Sequence, residues 1–307
     1  MTEHAQPVNS TTSTVSQVGV LLALAGCLLF SIKPVLIKLA YQYGGDATSI
    51  MSLRAFSSLP LYLLTLIYLC RSRVHRHKVQ QHGFKAALIG VMGYYFASYL
   101  DIASLQYISA QLERLLIFLF PSFVVLISWA FHGERPTVNV LLSALVGYLG
   151  ISFIVAHDVS NLGDSVILGS LLAITSAFVF AFYLVWSKPL ITQMGSSLFT
   201  SIGMGSAGLA ILVHLLLSGV SIDSWSSELI TLGIALGIFC TVLPSYLVAA
   251  AMARLTPTTL SLTNNIGPAI TAGFAVVVLD ELFTGWHALG LGLVVVSVYT
   301  LNRKSTR

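Results

Sequence analysis

Charge is what this chain has least of. Only 8% of its 307 residues are Asp, Glu, Lys or Arg, against roughly 25% in a soluble protein, while 56% are hydrophobic and the mean hydropathy is +0.88. That excludes a soluble globular protein and leaves an integral membrane protein. Cysteine is scarce as well. Cys27, Cys70 and Cys240 fall within apolar runs or at their ends with no paired spacing, which supports neither a disulfide framework nor a zinc site. GxxxxGK[ST] is absent, so ATP hydrolysis is not encoded. HExxH is absent too, and neither a mid-span aspartate pair nor a serine–histidine pairing stands out, since His214 near Ser206 does not suffice. The sequence therefore predicts no enzyme and no cofactor. Residues 1–16 carry one charge, Glu3, and lack the basic region of a signal peptide, so they read as a disordered cytoplasmic tail before a retained helix.

What is there is length of apolar sequence. A spanning helix needs about 20 mostly apolar residues, and ten such runs lie near 17–43, 48–70, 85–104, 108–131, 137–156, 166–188, 196–218, 228–252, 257–278 and 284–302. The expected fold is all-α, with ten transmembrane helices. Lys and Arg bias in short loops sets orientation. With the N-terminus inside, Arg71, Arg73, Arg76, Lys78, Lys85, Arg135, Lys188, Arg254, Arg303, Lys304 and Arg307 all fall on the cytoplasmic side, and no outer loop carries a lysine or arginine. Both termini are then cytoplasmic in a bacterial inner membrane.

The second half echoes the first. PSFVVLISWAFHGERPT from Pro121 and PAITAGFAVVVLDELFT from Pro268 share proline, glutamate and threonine at a constant offset of 147 residues. Five spans plus a connector repeat once, and an odd number of spans per copy inverts the second, as in many secondary transporters. The expected organisation is a first repeat over 17–157, a second over 166–302 and a cytoplasmic tail over 303–307. One departure is Asp280 where the first copy has Gly133.

SLRAFSSLPLYLL, YISAQLERLLIFLFPSFVVLISWAFHGERPT and MARLTPTTLSLTNNIGPAITAGFAVVVLDELFTGWHALGLGLVVVSVYTLN resemble the drug/metabolite transporter superfamily, in the branch built from two EamA domains. The resemblance covers nearly everything after the N-terminal tail. It implies a ten-helix permease with a central cavity between the repeats, often exporting amino acids or other small metabolites. It assigns a class, not a cargo.

The few charges inside the spans belong to the first repeat: Lys33, Lys38, Arg54, Glu113 and Arg114, with Asp101 at the outer edge of the third span. Each costs roughly 2.5–3.5 kcal/mol at a helix centre unless paired or facing a polar cavity. By helical rise, Lys38, Arg54 and Glu113 lie roughly 8–9 Å from the outer ends of their spans and Lys33 lies deeper. Glu113 and Arg114 are about 100° apart around their helix and need separate partners. The expectation is that Glu113 pairs with Lys38 or Arg54, leaving Arg114 or Lys33 for a substrate carboxylate. The plain alternatives are snorkelling to the interface and structural pairing.

The second repeat offers polar groups: Asn264 and Asn265 before Gly267-Pro268, Tyr183, and His214, read as an interhelical packing residue. Tyr94 belongs to an aromatic cluster with Tyr95, Phe96 and Tyr99 that walls a pocket or simply packs. Pro34, Pro121, Pro244 and Pro268 are hinge candidates or static bends. The basic stretch RSRVHRHKVQQHGFK suits topology and anionic lipid, with no support for nucleic acid. Together these readings predict a secondary transporter moving an amino acid or other carboxylate-bearing solute, outward, by alternating access, with a proton as the candidate coupling ion. An intramembrane enzyme, or a channel or facilitator without coupling, is the alternative. Oligomeric state is not encoded legibly.

Overall fold

The computed structural model describes residues 11–133, 135–252, 254, 255, 263 and 266–304. Its helices in chain order are α1 (Thr11–Gln42), α2 (Ala47–Leu69), α3 (Arg73–Ser104), α4 (Ala110–His132), α5 (Val138–Leu162), α6 (Ser165–Met194), α7 (Ser196–Ser218), α8 (Ser227–Gly237 running on to Leu243–Met252), α9 (Gly267–Leu279) and α10 (Gly285–Lys304). Eight of the helices are long and apolar enough to cross a membrane, and Gly267–Leu279 and Gly285–Ser297 are shorter apolar helices. Leu64, Ile67, Leu88, Leu217 and Val277 are largely exposed, the distribution of a surface bathed in lipid rather than water.

Two boundaries differ from expectation. The basic stretch after α2 is not a loop: from Arg73 it forms the first turns of α3, because a run without proline, and with Gly83 alone as a weak breaker, continues as helix beyond the apolar part. The fourth span is not one rod. It divides into Ala110–Ile117 and Phe120–His132, and Pro121 sits in the first turn of the second piece, where a missing amide donor costs nothing.

The repeat is visible in the backbone. Pro268, like Pro121, stands in the first turn of its helix. Both helices end in a left-handed residue, Gly133 at φ 72° and Asp280 at φ 55°, so the Gly-to-Asp departure keeps one conformation; aspartate is among the few side chains that tolerate it. α3 and α8 each contain one π turn, Met92–Phe96 and Ile238–Val242, within one residue of the same repeat position. Pro244 follows the second of these and Pro34 lies inside α1.

Helix neighbours obey the same exchange. α1 packs on α8 and α9 as α6 packs on α3 and α4; α2 packs on α8 as α7 packs on α3; α2 pairs with α7 and α5 with α10. Swapping the repeats maps this set onto itself, which a pseudo-two-fold axis requires. Glycines permit the closest approaches. A Cβ on Gly90 would stand 2.2 Å from Gly203 Cα on α7, and one on Gly237 would stand 2.6 Å from Arg54 O on α2. Two further glycines sit at helix contacts: Gly147 faces Ser297 and Gly233 faces Leu53. The protein is thus an all-α membrane protein of ten helices in two inverted five-helix repeats.

Candidate functional site

Four neighbouring helices, α1 to α4, carry the in-span charges. Lys33 Nζ donates to Asp101 Oδ2 at 2.5 Å. Asp101 is 4% exposed and Glu113 2%, and the two carboxyl groups are near enough to act on each other. Arg54, 7% exposed, donates from Nη2 to Ser98 Oγ at 2.8 Å, with Asp101 the carboxylate that acts on it. Lys38 Nζ donates to Ile108 O at 2.9 Å, capping the turn between α3 and α4.

These partners correct the expected pairing. Glu113 meets neither Lys38 nor Arg54; it meets Asp101, and Lys33 is committed to Asp101 as well. Depth along each span was read correctly enough to group the charges, but depth does not fix direction around a helix. Lys38 and Arg54 turn toward a carbonyl and a serine rather than toward Glu113.

Arg114 faces elsewhere, as its 100° offset from Glu113 requires. Its guanidinium lies over the Phe118 ring at 5.4 Å and close to Gly267, at the first turn of α9. Ser31 and Cys27 of α1 border the same spot. No carboxylate among the described residues forms a salt bridge with Arg114. Nearby, Pro34 removes one amide donor from α1, and Thr271 of α9 donates to Ser31 O at 2.8 Å, a cross-repeat bond beside the weakened turn.

The aromatic candidates also meet. Tyr94, in the π turn of α3, and Tyr183 of α6 share a hydrogen bond between hydroxyls of 2.8 Å, and Gly93 is bare against the Tyr183 ring. Tyr62 of α2 bonds Ser245 Oγ at 3.0 Å. His214 accepts or donates at Tyr95 OH, 2.9 Å away, and packs on Tyr99, a packing role. Asn264 and Asn265 lie outside the described residues.

Two acids make contacts that the sequence does not announce. Asp101 joins the charged group from the outer part of α3. The Glu281 carboxylate accepts from the amides of Ala110, at 2.8 Å, and Gln111, at 3.4 Å. It therefore caps the start of α4 from the other repeat, where negative charge suits the helix dipole. Its signal was present: it is the glutamate shared by the two copies of the repeat. At the same end of the bundle His287 Nε2 stands 3.3 Å from Asp158 Oδ1, tying α10 to α5.

The arrangement can hold an anion at Arg114 and a proton at the acid pair; it has no nucleophile paired with a base. Comparisons with known proteins agree on class. The sequence profile of the EamA-like transporter family matches residues 17–156 and again 167–303. A Bacillus subtilis (strain 168) protein described as the uncharacterized transporter YcbK is 24% identical over 280 residues, covering 89% of each chain. A crystal structure shares the fold with a TM-score of 0.59 at 18% identity, covering 96% of this chain and 98% of that one. With the family profile matching both halves over nearly the whole length, this chain belongs to the EamA-like transporter family and is a membrane transporter, not an enzyme.

Proposed function

We propose that the protein is a secondary transporter that moves a small carboxylate-bearing metabolite, an amino acid or organic acid, across the bacterial inner membrane by alternating access between its two repeats. The observation that carries this reading is Arg114: a membrane-embedded guanidinium with no carboxylate partner among the described residues, beside the first turn of α9. A guanidinium binds a carboxylate through two parallel bonds, and a helix start at mid-membrane adds positive potential from its free amides. Lys33, Arg54 and Arg114 against Asp101 and Glu113 leave one positive charge for the cargo to neutralise.

The flanking Tyr94–Tyr183 pair and Pro34 and Pro244 belong to the moving parts of this reading, as do the breaks before Pro121 and Pro268. Asn264 and Asn265 adjoin α9 in sequence and are proposed as further cargo contacts. The distribution of lysine and arginine supports cytoplasmic termini, which places Glu281 and Asp158 on the outer side. Export is the direction the family resemblance favours. Reconstitution in liposomes with counterflow of amino acids, organic acids and phosphorylated metabolites tests the reading. Movement of a carboxylate that Arg114→Ser abolishes is expected; movement confined to uncharged or cationic solutes would overturn it.

A further inference from the structure

Asp101 Oδ1 and Glu113 Oε2 are both enclosed, and neither has a hydrogen-bond partner among the described residues. Ionised carboxylate oxygens only accept. Two neighbouring carboxylates in a dry interior repel and leave such oxygens unsatisfied, whereas a single shared proton converts the clash into a hydrogen bond. Lys33 already donates to the far oxygen of Asp101, so Asp101 is the ionised member and Glu113 the one that carries the proton.

The surroundings suit that assignment. The charged and titratable groups around the pair among the described residues are Lys33 and Tyr41 on α1, Arg54 on α2, Arg114 on α4 and, beside Lys33 and Arg54, Cys240 on α8. No third acid approaches among the described residues, and Lys33 keeps Asp101 ionised, which leaves the pair one exchangeable proton. Glu113 and Arg114 are consecutive on a helical piece only eight residues long, Ala110–Ile117, bounded by a break at its far end and by the Glu281 cap at its start. Any movement of that piece shifts the proton and the anion contact together.

We propose that Asp101 and Glu113 form a one-proton site that binds its proton together with the cargo carboxylate at Arg114, so that the two are co-transported. The inference rests on the transporter reading above. The sign follows from charge: adding a proton to the pair raises the net charge around Arg114 by one and favours an anion there, and by linkage a bound anion favours the proton. Proton and carboxylate therefore travel in the same direction, and net flux follows the sum of their gradients. A metabolite concentrated inside leaves with a proton.

Two measurements decide it. Infrared difference spectroscopy of the purified protein in lipid, between alkaline and neutral pH, is expected to show a protonated-carboxyl band that Glu113→Gln abolishes. Asp101→Asn should retain the band at shifted frequency, because the carboxyl loses its acceptor but not its proton. Should the variants fold poorly, 13C-glutamate labelling of the wild-type protein must shift the band. A band absent from the wild type, insensitive to the glutamate label, or unchanged in Glu113→Gln overturns the site. In proteoliposomes, with radiolabelled amino acids and succinate as probes, acidifying the donor side should speed entry by up to about tenfold per pH unit, the limit for one proton. Glu113→Gln should flatten that slope, and replacing sodium with potassium should leave it unchanged. A pH-independent wild-type rate, entry slowed by donor-side acid, or a sodium requirement overturns co-transport. If none of the probes moves, the cargo reading falls, while the infrared result still decides the proton site.

Discussion

The two repeats share a skeleton and differ in chemistry. Both have a π turn in the third helix, a proline opening the last piece of the fourth and a left-handed residue closing it. Yet where the first has Glu113 and Arg114, the second has Leu260 and Ser261 at the 147-residue offset. Symmetry of backbone gives a transporter two equivalent ways to rock. Asymmetry of charge places the in-span lysines, arginines and acids in the first repeat, so in the function proposed above one repeat would hold the cargo and the proton, and only one set of costly intramembrane charges is needed.

The sharpest way to break this comparison is to give the first repeat the residue of the second. Arg114→Ser should lower apparent affinity for the transported carboxylate about 10–100-fold, the worth of a charge-assisted bond, as read by counterflow. The reciprocal change, Ser261→Arg in that background, should fail to restore transport and should reduce the amount of folded protein in the membrane, since an unpaired intramembrane arginine costs about 2.5–3.5 kcal/mol. Restoration would mean that the repeats are chemically interchangeable.

Equivalence of the skeleton is tested by paired substitutions. Gly90→Ala and Gly237→Ala each force a methyl group against backbone of the opposite repeat's second helix. Each should destabilise by about 1–3 kcal/mol, read as a lower Tm in lipid nanodiscs, with Gly90→Ala the worse of the two because its nearest atoms are all backbone, whereas the atom nearest the Gly237 methyl is the side-chain oxygen of Ser57. A large loss at only one position would show that the two helix crossings are not counterparts. Glu281→Gln should cost about 1 kcal/mol and speed hydrogen exchange at the amides of Ala110 and Gln111 by roughly fivefold. Least of all, Asp280→Gly should change stability by no more than about 0.5 kcal/mol, relief of the left-handed conformation being offset by the chain entropy of glycine.

Much of this frame was legible in the sequence. Apolar run length marked the helices, and the proline, glutamate and threonine repeated at an offset of 147 residues marked the inverted repeat. The breaks were less legible: an apolar run reads the same whether or not it pauses at Phe118, and π turns leave no mark in hydropathy. At the site, the in-span charges were named because burial of charge is rare, but their partners were not. Lys33 reaches Asp101 rather than a substrate, and Lys38 reaches a carbonyl, because azimuth around a helix depends on packing that periodicity does not specify in an all-apolar segment. Glu281 was passed over since acids at loop ends are usually solvated; only the structure shows it reaching across to α4.

The paired π turns carry a record of descent. A π turn is an α-helix holding one residue more than its turn requires, and the structural trace of one inserted codon would look like this. One such insertion in a five-helix ancestor, before the halves were doubled, would account for both Met92–Phe96 and Ile238–Val242, which lie within one residue of the same repeat position.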